Sequence, residues 1–360
     1  MARIFILGNG QSIHTVRWLV HLAKEHEVTL LTFEGNNIPG ISTIVFKGRK
    51  FGLIRYLIAL PQLWFLLIIR KPHLIHAFYA GGYGLLGAFT FYSNYFLSVW
   101  GSDVYLFPKG NFLKKLILKV ILSRPKLVFA TSNDLSGQAN KIYKRNYLII
   151  PFGVDCDLYK NTKVDVAINQ SKIIIGTVKS LEYVYGIDRL LNAFAIAVNT
   201  MPNHLIELVI VGDGKERINL INLASKLGII DKVKFLGRLP QDQVPALLNQ
   251  IDIFVALSRS ESFGVAVLEA SACSIPVIVS SIGGFPEVVI DKVTGFIVKD
   301  GDPQLAANKL LELILDPQLR KIMGENGRSF VEREYEWKNS LENFDVFITE
   351  YAGINESKYT

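Results

Sequence analysis

The sequence predicts an α/β protein made of two Rossmann-like, doubly wound domains. Three observations carry this. Short apolar runs recur along the chain and are continuous rather than alternating, as in strands buried on both faces of a parallel sheet. Helical patterns separate them at βαβ spacing. The series then pauses in a polar stretch, 161–171, and starts again.

In chain order, Ile4–Leu7 reads as the first strand, and Ser12 as the N-cap of a helix carrying Val16, Leu19, Val20 and Leu22. Val28–Phe33, His73–Phe78, Phe96–Trp100 and Leu127–Thr131 continue the first sheet. Ile173–Gly176 opens the second, followed by Leu208–Gly212, Val233–Leu236, Ile253–Leu257, Pro276–Ser280 and Gly295–Val298. A last helical pattern runs from about Glu332 to Tyr351. The expected domains are 1–165 and 166–335, with a terminal helix, 336–360, that closes the second domain or packs back on the first.

Charge divides the same way. The chain of 360 residues has net charge +7, but residues 1–165 hold 20 basic and 8 acidic side chains, and the remainder 19 and 24. A nucleic-acid binder would not be built so unevenly, and no recognition motif supports that class. Cys156 and Cys273 are too few for a disulfide framework and read as buried thiols in a reducing, cytoplasmic compartment. The apolar run in Met1–Gly10 is too short for a secretory leader, and Leu53–Ile69 is interrupted by Arg55, Pro61 and Gln62.

The richest local signal is Ser258–Cys273, SRSESFGVAVLEASAC, lying between two predicted strands. Residues 259–264 form a loop at the carboxyl end of a strand, the edge where open α/β sheets bind ligands. A helix starts near Gly264, so the amides of Phe263, Gly264 and Val265 face an anion or a sugar oxygen. Glu261 and Glu269 can accept hydrogen bonds from sugar or ribose hydroxyls. The bland alternative makes Glu261 a helix cap and Glu269 a surface residue. Gly212 and Gly214, Gly237-Arg238, and Gly283-Gly284 with Glu287 are further strand-end turns. Gly8 and Gly10 flank the first turn, which is not the G-x-G-x-x-G of nicotinamide sites. His14 follows in the next helix; His76 ends a strand. The histidines do not cluster for a metal, and Asp155-Cys156-Asp157 falls in the interdomain segment.

SRSESFGVAVLEASACSIPVI resembles the E-x7-E signature of the retaining, two-domain (GT-B) nucleotide-sugar glycosyltransferases of family 4. PFGVDCDLY, IGTVKSLEYVYGIDRLLNAF, LVIVGDG, VKFLGRLP and GGFPEVVIDKVTGFIV are similar to its other segments in order, and LGNGQSIHTVRWLVHLA and SVWGSDVYLFPK to one branch's first domain. The resemblance implies a UDP- or GDP-linked sugar as cosubstrate, with no resident cofactor and no metal. It implies that Glu269 binds ribose, Glu261 the donor sugar, and Lys179 the diphosphate. Gly8, Gly10, Gly212, Gly214, Arg238, Arg259 and the 263–265 amides complete the donor-binding expectation. Where the family has a second basic residue before its glycine, this chain has Tyr183-Val184-Tyr185-Gly186, so Arg259 or a first-domain cation is the expected substitute. Where many members have a first-domain histidine, it has Trp100, which makes Asp103 the expected catalytic carboxylate on that side; His14, in the first turn of its helix, is a further catalytic candidate. An Asp that caps the turn after its strand is the competing reading of Asp103.

Phe112–Arg124 patterns as an amphipathic helix with Lys114, Lys115 and Lys119, and Leu53–Arg70 as a second apolar helix near Lys47, Arg49, Lys50, Arg70 and Lys71. Apolar and cationic faces side by side suit an anionic membrane surface; core helices with solvated lysines are the alternative. The expected activity is hexosyl transfer to a lipid-linked or glycan acceptor, in cell-surface polysaccharide or glycolipid synthesis, at the inner face of the cell membrane. A nucleotide-sugar epimerase or a non-catalytic binding protein of the same fold stays open, as do the sugar, the base and the oligomeric state.

Overall fold

A computed structural model describes residues 1–35, 38–48, 54–162 and 172–351. Two compact units divide the chain: Met1–Phe152 with Ser340–Thr360, and Gly153–Asn339. The boundary therefore falls at Phe152/Gly153, ahead of the expected 165.

The first unit contains β1 (Arg3–Leu7), α1 (Ile13–Leu22), β2 (Glu27–Thr32), β3 (Ser42–Val45), α2 (Ile54–Arg70), β4 (Leu74–Phe78) and α3 (Gly82–Ala88). It continues with β5 (Tyr95–Val99), α4 (Ser102–Tyr105), α5 (Phe112–Ser123), β6 (Leu127–Ala130), α6 (Asn133–Asn140) and β7 (Leu148–Ile149). Its sheet is parallel in the order β3-β2-β1-β4-β5-β6-β7. β4 and β5 are buried at every residue, which is why their sequences do not alternate.

The second unit contains β8 (Lys172–Val178), α7 (Ile187–Thr200), β9 (Leu205–Val211), α8 (Arg217–Lys226), β10 (Val233–Gly237), α9 (Val244–Leu248) and β11 (Ile253–Ala256). α10 (Val265–Ala272), β12 (Val277–Ser280), α11 (Phe285–Val288), β13 (Gly295–Val298), α12 (Pro303–Leu315) and α13 (Pro317–Glu334) follow. This sheet is also parallel, in the order β10-β9-β8-β11-β12-β13. The core beneath it packs α7 and α12 against the strands through Leu191, Phe194, Leu208, Val255 and Leu310.

The expected single helix over 332–351 is two. α13 ends at Glu334, and α14 (Trp337–Tyr351) begins after a break, passing at Ser340 into the first unit. The break has a partner: Val154 N–H donates to the Tyr335 carbonyl at 2.8 Å, and Trp337 N–H donates to the Val154 carbonyl at 2.9 Å. Gly153 lies so close that a Cβ there would stand 2.4 Å from Trp337 Cα. Within the first unit, Phe344 of α14 packs on Trp18 and Phe129, and His21 Nε2 meets Asp345 at 2.7 Å.

In both sheets the strand order reverses at one point, β1/β4 in the first and β8/β11 in the second. The carboxyl ends beside these switch points are where ligands bind in such folds.

Candidate active site

Lys179 follows β8 and Glu261 lies in the loop after β11, so the two side chains flank the switch point of the second sheet. Lys179 Nζ stands 2.5 Å from Glu261 Oε2, both side chains nearly buried at 13% and 10% exposure. The ammonium also lies 4.8 Å from the Tyr185 ring centroid, a cation–π contact that holds it over the loop. Tyr185 thus touches the lysine from the position where a second basic residue was expected.

Glycines build this corner by close approach. Gly264 has φ +115°, and a Cβ on it would stand 2.9 Å from the Phe285 ring, so the chain turns from the Glu261 loop into α10 only with glycine there. Gly283 has φ +58° and sits against the Glu261 carbonyl, where a Cβ would come to 1.8 Å. Gly212 and Gly214 pack in the same manner on the Lys179 and Leu181 carbonyls. These two glycines brace the loop that carries Lys179, and that packing accounts for them.

Glu269 lies on α10, one turn past its start, and is 8% exposed. Its Oε1 accepts from Gln241 Nε2 at 3.4 Å, and the same amide nitrogen is 2.6 Å from the Tyr159 hydroxyl. Nothing in the spacing of Gln241 or Tyr159 signalled this. The first amides of α10, at Val265 and Ala266, have no preceding carbonyl in the helix to serve and form its positive end. Phe263 contributes backbone only, since its ring is buried against Tyr335. Arg238 is exposed just after β10.

Arg259 qualifies an expectation. Its guanidinium is forked onto Asp188, at 2.7 and 2.6 Å, and lies 3.8 Å over the Tyr183 ring. It clamps the Tyr183–Tyr185 turn to the β11 loop.

Asp103 corrects another. It is fully buried; Oδ2 accepts from Ala80 N–H at 2.7 Å and Oδ1 from Gly101 N–H at 2.7 Å and Trp100 N–H at 3.2 Å. Burial raises its pKa above the ordinary carboxylate value, against the pull of those amides. The carboxylate ties the turns after β4 and β5 together and is no acceptor base. His76 is likewise a core residue: burial lowers its pKa to about 3, and Nε2 pairs with Ser98 Oγ at 2.8 Å.

His14 stacks on Phe152 at 4.3 Å and meets Trp100 edge-on at 6.1 Å. Burial, aided by the Arg17 charge, lowers its pKa to about 4, so the ring is neutral at neutral pH. Gly8 and Gly10 stand beside it after β1, Gly10 packed so tightly on Gly35 that a Cβ would be 3.0 Å from its Cα. Both cysteines are buried and outside any disulfide among the described residues, where no three His, Cys, Asp or Glu side chains group to hold a metal.

Residues 159–330 match the family described as Glycosyl transferases group 1, and residues 3–132 that described as Glycosyl transferase 4-like. The chain is 29% identical over 253 residues to the N-acetyl-alpha-D-glucosaminyl L-malate synthase of Bacillus anthracis, spanning 68% of this chain and 65%, less than two thirds, of that relative. It is 26% identical over 341 residues to an uncharacterized glycosyltransferase of Methanocaldococcus jannaschii, spanning 92% of each. Sucrose-phosphate synthase from Thermosynechococcus elongatus has the same fold, with a TM-score of 0.83 at 20% identity over 97% of this chain and 99% of that one. Anabaena HepE, solved in complex with UDP, gives 0.81 at 22% over 97% and 100%. The chain therefore belongs to the GT-B glycosyltransferases, with a glycosyl transferase 4-like domain ahead of a glycosyl transferases group 1 domain.

Proposed function

We propose that this protein transfers a hexose-type sugar from a UDP- or GDP-linked donor to a lipid-linked or glycan acceptor, with retention of configuration and without a metal. The observation that carries the reading is the Lys179–Glu261 pair beside the positive end of α10, with Glu269 buried one turn along that helix. The relatives add support, and one solved neighbour is described with UDP-glucose.

In this reading the second unit holds the donor and the first the acceptor. Glu269 accepts from the ribose hydroxyls and Glu261 from those of the sugar. Lys179 and the α10 amides face the diphosphate, whose negative charge grows as the bond from the anomeric carbon to its phosphate oxygen breaks. The acceptor hydroxyl forms the new bond on the same face, and its proton passes to the departing phosphate oxygen. The His14–Trp100–Phe152 cluster of the first unit offers the acceptor an aromatic surface. The reaction belongs to the cytoplasm, at the inner face of the membrane.

The test needs no acceptor. Thermal shift against UDP- and GDP-linked hexoses identifies the donor, since a ligand at about 100 times its Kd stabilises by about 2.7 kcal/mol. Proton NMR of its slow hydrolysis then reads the released anomer. Release of the donor's own anomer supports the reading. An inverted anomer, or conversion to a different nucleotide sugar, contradicts it.

A further inference from the structure

α2 is apolar on both sides. Tyr56, Leu60, Leu63 and Leu67 enter the core, while Leu57, Phe65, Ile68 and Ile69 point to solvent, Ile68 at 72% and Phe65 at 61% exposure. On α5 the buried row is Leu118, Ile121 and Leu122. Phe112, Leu113, Leu116 and Val120 are exposed at helical spacing, Phe112 at 83%. This exposed apolar row lies outside, among Lys114, Lys115 and Lys119.

The two helices share one surface. α3 packs against both. Trp64 Nε1 of α2 donates to the Phe89 carbonyl at 3.1 Å, and Arg124 after α5 lies 5.2 Å over the Phe91 ring. Phe91 is itself 67% exposed. An apolar tract of this extent marks an interaction surface.

Charge says what covers it. Between Glu34 and Asp134 the sequence has twelve lysines and arginines and a single carboxylate, Asp103, which is fully buried. Of these cations, Arg49 and Lys50 lie outside the described residues. A second copy docking here would bring lysine against lysine with no carboxylate from this stretch to pair them. Anionic headgroups supply the missing charge, and an interfacial layer accepts Phe, Leu and Trp side chains beside lysines. No described helix is long and apolar enough to cross a membrane, so these helices would lie in its plane.

We propose that α2, the 89–91 segment and α5 form a docking face that seats the first unit on an anionic bilayer. Apolar side chains enter the headgroup layer, and the lysines hold the charge. The proposal stands apart from sugar transfer and fixes only which face meets lipid.

The test is sedimentation of the full chain with phosphatidylcholine vesicles, with and without about one-third phosphatidylglycerol. Anionic vesicles bind the protein, and added salt weakens that binding. Lys115→Gln and Lys119→Gln each reduce it about fivefold, and Phe65→Glu/Ile68→Glu at least about tenfold. Trp64 emission shifts to the blue and is quenched by brominated lipid chains, with Trp64→Phe as the blank. Thermal midpoint and the response to UDP or GDP show that each variant folds, and Ile68→Ser is the milder substitution. The response to nucleotide reads the donor site separately from the vesicles. Failure to bind anionic vesicles, or wild-type binding by the folded double variant, overturns the proposal. So does a dimer in solution that Phe65→Glu/Ile68→Glu dissociates, which would give the face to a second copy.

Discussion

Lys179 and Glu261 meet at 2.5 Å across the point where the strand order of the second sheet reverses, paired as opposite charges in a nearly closed corner. In the proposed reaction both turn to the donor, so each has two jobs, and substitution separates them. Lys179→Met and Glu261→Gln each leave a partner unpaired and cost about 1–3 kcal/mol of stability. The double variant recovers part of that loss, because no charge is stranded. Transfer stays lost in all three. Urea unfolding beside donor-turnover assays checks this, and transfer restored together with stability would contradict it.

Gly283 tests the backbone of the same corner. Alanine there meets the Glu261 carbonyl and a positive φ at once. Gly283→Ala should displace the loop, lowering donor affinity by about tenfold or more and stability by about 1–3 kcal/mol. Gly40 and Gly110, also at positive φ but with nothing within 4 Å, serve as controls for strain alone.

Asp103 is read as structural, so its substitution should behave as such. Asp103→Asn replaces one of the two acceptor oxygens with a donating NH2, so either the Ala80 amide or the Gly101 amide loses its acceptor. We expect a loss of about 2–4 kcal/mol. Turnover per folded molecule should stay within about threefold of wild type. A folded variant with turnover abolished would make Asp103 catalytic after all.

The buried histidines set an acid limit. The folded-state values of about 4 for His14 and about 3 for His76 lie below that of a free imidazole. The unfolded chain therefore binds more protons below about pH 6.5, and stability falls as pH drops from there toward the folded values, by up to about 1.4 kcal/mol per pH unit for each. Urea midpoints at several pH values check this, and His76→Gln should flatten the slope.

Much of the fold could be read from the sequence because buried parallel strands leave unbroken apolar runs. β3 and β7 could not: β3 is a short edge strand with exposed ends, and β7 has two residues. The break at Tyr335–Glu336 is set by Val154, far away in sequence, which no local pattern reports. In the site, Glu261 and Lys179 were legible as residues past strand ends, and Glu269 as a carboxylate on the helix that follows. Asp103 was misread because its partner, the Ala80 amide, comes from another loop, and the partner of Arg259, Asp188, sits on α7, far from it in sequence. The outward row of α2 was hidden because an apolar residue looks the same whether it faces core or solvent.

The central claim is a nucleotide-sugar site on the second unit organised by Glu269. The direct measurement is calorimetric titration of UDP and of GDP into the wild-type protein and into Glu269→Ala, with thermal midpoints confirming that both fold. One nucleotide should bind saturably to the wild type and at least about tenfold more weakly to the variant, the loss of charge-assisted hydrogen bonds. Binding of neither nucleotide, or equal binding by both proteins, would contradict the account.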